Sequence, residues 1–371
     1  MEICELFRDN MVLAAGLPVR VSGRGNGKVK IEFRGEKREW EVGYADDSDW
    51  IVEMPAGEAG GPYEMRITLE GGRSGEGRLN EGQLSEGQLS EGQLSEGQLN
   101  EGQLNEGQTL VLRDVYVGRV YLLAGQSNAE FRLSESTTPA NEYKDDPLLR
   151  NYFVDRPWIA EDVFAPGSGW MPARTHEIDR WSALAYLVGQ GMRRRTNEPV
   201  GIISCFQGAS VIEAWLPRAD AERFRLPDPD VYIDHWYPDF AAWNGNATIY
   251  ERMLTRVARF PVSGVIWYQG ESDTSMAEAS IYDAELSCFA GEVRHLQQNP
   301  CLRFAVVQIA DYDHRADNDP AGWKGIQDAQ ARAAEADNYS VLVPSRDVCE
   351  SSCIHPPTKS LLAERIVDAL L

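Results

Sequence analysis

The chain has 371 residues, 43% of them hydrophobic and 25% charged. That is the profile of a soluble globular protein with room for two domains. Its formal charge of -22 repels phosphate backbones and anionic bilayers, which excludes nucleic acid and membrane surfaces as natural partners.

The opening residues MEICELFRDN mix charged and apolar side chains, and no later apolar run is long enough to span a bilayer. A cytoplasmic protein is therefore expected, or a periplasmic or secreted one if a leader has been lost from the recorded start. Six cysteines in a chain of this length do not suggest a disulfide framework. Cys349 and Cys353 are four apart, but no second ligand pair accompanies them, so a zinc site is rejected.

From the N-terminus, residues Pro18–Gly23, Lys28–Phe33, Arg38–Val42 and Tyr63–Leu69 alternate apolar and polar side chains between turns. Strands of this length and spacing predict a small β-sandwich. From Glu76 the chain repeats a pentapeptide (EGRLN, then EGQLS and EGQLN units) as far as Gln108. A five-residue period fits neither helix nor strand, and a glycine in every unit disfavours both, so a solvated loop insert at 76–108 is expected. The N-terminal domain is set at 1–113 and the second domain at 114–371.

The segment Thr109–Gly125 ends in the short apolar strand YLLA, followed by Gly125, Gln126, Ser127 and Asn128. A serine just beyond a parallel strand sits where open α/β sheets bind their ligands. A long polar section to about Arg180 is expected to be loop facing substrate. Helices are predicted over Trp181–Arg195, Asn246–Arg259, Ile281–Gln297, Lys324–Ala336 and Thr358–Leu371. Strands are predicted at Val200–Phe206, Gly264–Tyr268, Arg303–Tyr312 and Ser340–Val348. Strands alternating with helices imply a parallel sheet covered on both faces.

Four strand ends then carry polar residues: Ser127, the Gln207–Gly208 turn, the Gln269–Asp273 turn and, before the last helix, His355. A nucleophile, a base and amide donors are the inventory of an acyl-transfer site. The GxSxG elbow of ordinary α/β-hydrolases is absent.

The blocks GQSNAEF, FQGASVIEAW, WYQGESD and IHPPTK, in this order, resemble those of sialate O-acetylesterases and related bacterial carbohydrate acetylesterases of the SGNH-hydrolase superfamily. LFRDNMVL and MPAGEAGGPYEM similarly resemble the β domain that precedes the catalytic domain there. The resemblance implies a flavodoxin-like three-layer α/β sandwich with a small N-terminal β-sandwich. It implies an esterase removing O-acetyl groups from sugars, foremost O-acetylated sialic acid, with acetylated xylan or another plant polysaccharide as the alternative. An inactive carbohydrate-binding relative is the alternative from another class.

By the same resemblance Ser127 is the nucleophile and His355 the base. The N–H groups of Ser127 and Gly208 and the side chain of Gln269 form the oxyanion hole. Gln126 and Asn128 beside the nucleophile, and Trp215 and Trp267 as core or pocket wall, are candidates to touch substrate. No metal or other cofactor is required, because amide donors carry the developing charge. A sialic acid carboxylate calls for an Arg or Lys, and Arg132, Arg156, Arg174 and Arg180 lie in suitable stretches.

One departure matters most. The family often has Asp two residues before the histidine, and this chain has Cys353, which cannot stabilise an imidazolium as a carboxylate does. Glu271 is the favoured substitute; Glu350, Asp347 or a bare Ser–His dyad are the others.

Overall fold

The structure is a computed structural model describing residues 2–43, 49–70, 107–159, 162, 169–226, 238–313 and 320–371. Nearly all of the pentapeptide insert expected at 76–108 lies outside the described residues. Seven strands precede it: β1 (Glu2–Ile3), β2 (Val12–Ala14), β3 (Pro18–Arg24), β4 (Gly27–Phe33), β5 (Glu36–Val42), β6 (Asp49–Pro55) and β7 (Gly60–Glu70). The period-two alternation does what it predicts. Val29, Ile31 and Phe33 of β4 and Met65, Ile67 and Leu69 of β7 are buried while their neighbours are not. Two sheets result, β1-β3-β6 and a sheet pairing β4 with β5 and β7, and their apolar faces join one core. Strand β6 was not among the predicted strands, although Trp50, Val52 and Met54 alternate inward.

The long strand β8 (Thr109–Gly125) spans 17 residues. Its first half pairs antiparallel with β7, and its second half pairs parallel with β11 (Val200–Phe206) and β12 (Gly264–Tyr268). The expected boundary between 113 and 114 therefore falls inside one uninterrupted strand. The two regions share a sheet as well as a core.

With β13 (Phe304–Val307) and β14 (Ser340–Val343), and inside two further strands on the β11 edge, the central order is β11-β8-β12-β13-β14, which among these five reads second, first, third, fourth and fifth along the chain. This is the flavodoxin-like order. Every residue of β11, β12 and β13 is buried, as a sheet covered on both faces requires. The helices Ala183–Thr196 and Ser360–Leu370 pack together, as do Tyr282–Gln297 and Pro320–Glu335. The first of these helices is capped by Ser182, whose hydroxyl accepts from Ala185 N, and stops at Asn197 with φ of 58°.

Two expectations are corrected. The polar section before Arg180 is not all loop, since it supplies β9 (Asp146–Phe153), parallel to β11, and β10 (Trp170–Ala173), antiparallel to β9. Polar residues of β9 hide its strand pattern, because they are buried with partners. Arg150 is held by the backbone and carboxylate of Asp114, and Asn151 accepts from Ser204 Oγ at 2.7 Å. The helix expected at Asn246–Arg259 is present but shorter, running over 248–257 with a π turn, Tyr250–Leu254, inside it. Among the described residues, no helix is long and apolar enough to cross a membrane.

Candidate active site

The ends of β11, β8 and β12 meet at the point where strand order reverses. Gln207 N donates to Gly125 O and Gln126 N to Tyr268 O, both at 3.0 Å. Gly125 has a φ of +142°, and a Cβ on it would sit 2.0 Å from Tyr268 O, so only glycine fits this turn. Gln126 then ties β8 to the next strand end. Its Oε1 accepts from Gly270 N and Ser272 N, and its Nε2 donates to Ser272 Oγ. It is buried and braces the turn, which corrects the expectation that it contacts substrate.

Ser127 begins the short helix Ser127–Glu130, and as the first helical residue its N–H has no intrahelical partner. Its hydroxyl lies 2.8 Å from His355 Nε2, across 228 residues of sequence. Burial, followed by the positive charge of Lys359, pulls the imidazole below its ordinary pKa, with Glu135 opposing. The ring is thus largely neutral near pH 7 and able to accept a proton.

The candidate acid partners of His355 are all engaged elsewhere. Glu271 Oε1 accepts from Asn128 Nδ2 at 2.6 Å, and its Oε2 is buried without a partner. Asp347 pairs with Arg365, and Glu350 holds Thr358. Cys353 Sγ turns back to the carbonyl of His355 at 3.3 Å. Among the described residues, no carboxylate hydrogen-bonds to His355, and the expected role of Glu271 is corrected accordingly. Tertiary packing explains the miss, because it brings Asn128, 143 residues away in the chain, within bonding reach of Glu271.

Under the serine runs a buried polar chain whose cation was missed. Asn128 donates to Glu271 and to Ile354 O, and accepts from Lys359 Nζ at 2.7 Å. Lys359 also lies over the rings of Phe131 and Tyr268, at 5.2 and 5.4 Å. Burial lowers this ammonium to about 8 despite the acidic groups around it, and burial likewise raises Glu271. Asn128 therefore positions the loop bearing His355 and is closed to substrate, a second correction. The lysine stands in the IHPPTK block, so the signal was present in the sequence.

The oxyanion donors fare unevenly. Gly208 packs against the serine, since a Cβ added to it would lie 3.6 Å from Ser127 Cβ. Its N–H, however, donates to Glu130 Oε2 at 2.8 Å. Arg156 holds the other oxygen of Glu130 at 2.9 Å and also grips Asp162. Gln269 is fully buried, with its amide N–H groups on Ser210 O (2.8 Å) and Asp273 Oδ2, and its Oε1 on the Tyr282 hydroxyl. It has no donor left for an oxyanion, and the expectation is corrected. Trp215 and Trp267 are fully buried, edge to face at 5.3 Å, which makes them core and not pocket wall.

A Gln269→Ala variant should accordingly lose stability before chemistry. It strands two buried acceptors, Ser210 O and Asp273 Oδ2, while the Tyr282 hydroxyl keeps the Gln269 carbonyl; at about 1–3 kcal/mol each, urea unfolding should show a loss of roughly 2 kcal/mol or more. Unchanged stability with a collapsed kcat would instead return Gln269 to the oxyanion hole.

Arg132 pairs with Glu135, while Arg174 and Arg180 are exposed. Trp158 and Trp243, which the sequence did not single out, flank the Gly208 turn: Trp158 Nε1 donates to Gln207 Oε1 at 2.6 Å, and Trp243 Nε1 to Ala209 O at 3.4 Å.

Residues 117–370 match a family model described as carbohydrate esterase, sialic acid-specific acetylesterase. The human sialate O-acetylesterase is 23% identical over 284 residues, which span 70% of this chain and 54% of the relative. The mouse sialate O-acetylesterase is 21% identical over 206 residues, 44% of this chain and 37% of its own length. The chain thus spans about half the length of the human relative. A solved carbohydrate acetylesterase from Xanthomonas citri shares the fold, with a TM-score of 0.75 at 24% identity, covering 99% of this chain and 74% of that one. With more than half of its length matched, the chain belongs to the carbohydrate esterase family of sialic acid-specific acetylesterases.

Proposed function

We propose that this protein is a serine esterase that removes O-acetyl groups from sugars. The observation that carries the reading is the 2.8 Å contact between Ser127 Oγ and the depressed imidazole of His355 at the switch point of the sheet. Ser127 Oγ attacks the acetyl carbonyl carbon while its proton passes to His355 Nε2. The resulting oxyanion takes the Ser127 N–H, and the Gly208 N–H once the Glu130 carboxylate gives way. Collapse expels the sugar oxygen, which collects the proton from His355. Water, activated by the same imidazole, then releases acetate from acetyl-Ser127 and restores the hydroxyl.

Family membership supports an acetylated carbohydrate as the substrate. The relatives' names point to sialic acid, but the cations described around the site are already bonded, Lys359 to Asn128, Arg156 to Glu130 and Arg132 to Glu135, which argues for a neutral sugar. The missing carboxylate on His355 favours a second reading, carbohydrate binding without turnover. One assay separates the two. Wild-type protein incubated with O-acetylated xylo-oligosaccharides and with O-acetylated sialic acid should release acetate from at least one of them, measured against a Ser127→Ala control. No acetate above that control from either sugar, or from an aryl acetate, sinks the esterase reading.

A further inference from the structure

The loop leaving β9 carries Arg156, Pro157 and Trp158. Trp158 stacks on Trp243 with ring centroids 6.1 Å apart and planes inclined by 29°, and Phe240 lies 5.0 Å from Trp243. The indole N–H edges are anchored to the Gln207–Ala209 turn, and Asn244 Nδ2 reinforces it by donating to Ala209 O at 2.8 Å. The same turn holds Gly208 against Ser127. Unlike the core pair Trp215 and Trp267, all three rings are only half-buried. Two indoles fixed by their edges, with apolar surface left uncovered beside a reacting centre, match the C–H face of a pyranose ring.

On the other flank of the turn, the Glu130 carboxylate offers acceptors for hydroxyl groups, and Glu135 adds negative charge near His355. The cations there are already committed, Arg156 to Glu130 and Asp162, Arg132 to Glu135, and the fully buried Lys359 to Asn128. A sugar bearing its own carboxylate would meet like charge.

We infer that Trp158 and Trp243 form a stacking platform for the pyranose ring of an uncharged acetylated sugar, seated so that its acetyl group reaches Ser127. The platform rests on the reading of Ser127 as nucleophile, but its test does not depend on turnover. A Ser127→Ala background holds the ester intact, and calorimetry then follows binding of a methyl xyloside carrying one O-acetyl group and of O-acetylated sialic acid.

The xyloside should bind, and adding Trp158→Ala with Trp243→Ala should weaken it about tenfold, the scale of a lost aromatic contact. Trp158→Phe with Trp243→Phe should restore most of that loss, because the stacking faces return without the indole N–H bonds. Acetylated sialic acid should bind more weakly than the xyloside. Binding indifferent to the Ala pair, tighter binding of sialic acid, or no binding of either sugar would overturn the platform. Tryptophan-dependent binding in a protein whose wild type releases no acetate would uphold the platform and sink the esterase.

Discussion

Replacing Ser127 with Ala is expected to lower kcat/KM for acetyl ester hydrolysis about ten-thousand-fold or more, the scale seen when a serine enzyme loses its nucleophile. The hydroxyl is the atom that forms the acyl bond, and no neighbouring group replaces it. Cys353, a thiol in the histidine loop, donates to the backbone carbonyl of His355. The variant should still fold. Ser127 is half-buried and its hydroxyl bonds to His355 alone, so its removal creates no cavity and strands no buried partner. Stability should therefore stay within about 0.5 kcal/mol of wild type. Acetate release and urea unfolding, measured on the same preparation, give the answer. A folded variant with more than a tenth of wild-type activity would remove Ser127 from the mechanism.

His355→Ala should cost nearly as much, because a serine hydroxyl is a poor nucleophile until a base takes its proton. The wild-type pH profile makes the role specific. Burial and the Lys359 charge hold the imidazole below its ordinary pKa of 6.5. Only the neutral form accepts the proton, so kcat/KM should rise with pH, reach its half-maximum below pH 6.5, and be level near pH 7. Replacing Lys359 with Met removes one of the two depressing influences, so the inflection should move to higher pH. The same change strands Asn128 Oδ1 and leaves Glu271 without its neighbouring cation, so thermal stability should fall too. An inflection that stays in place, or moves down, would show that Lys359 does not set the basicity of His355.

The Lys359 result also bears on how a histidine works without a carboxylate. In a triad, the acid partner favours the imidazolium that forms during attack. Here the nearest charged group in the buried chain is cationic, which favours the neutral ring. The site is biased towards a base ready at rest and away from the charged intermediate. On the proposed mechanism, a serine–histidine dyad of this kind would trade peak rate for activity extended to lower pH.

Much of this was legible in the sequence, and the reason lies in periodicity. Alternation of apolar residues places Val29, Ile31 and Phe33 on one face of β4. The alternation of strand and helix decides a parallel sheet, and chain order then puts Ser127 at its switch point. Because Ser127 follows a strand and His355 stands in the block just before the last helix, their motifs reveal both partners of the 2.8 Å contact. Partner choice is another matter. Whether Gln269 faces an oxyanion or Ser210 and Asp273, and whether Glu271 takes His355 or Asn128, is settled by ångström-scale competition among groups as much as 143 residues apart. A buried amide or carboxylate bonds whatever donor or acceptor packing brings nearest, since leaving it unpaired costs more than any single bond contributes. The sequence alone determined the fold, the strand-end position of the serine and the histidine opposite it. Only the tertiary structure decided which polar groups around them are occupied, because that depends on contacts that no local pattern encodes.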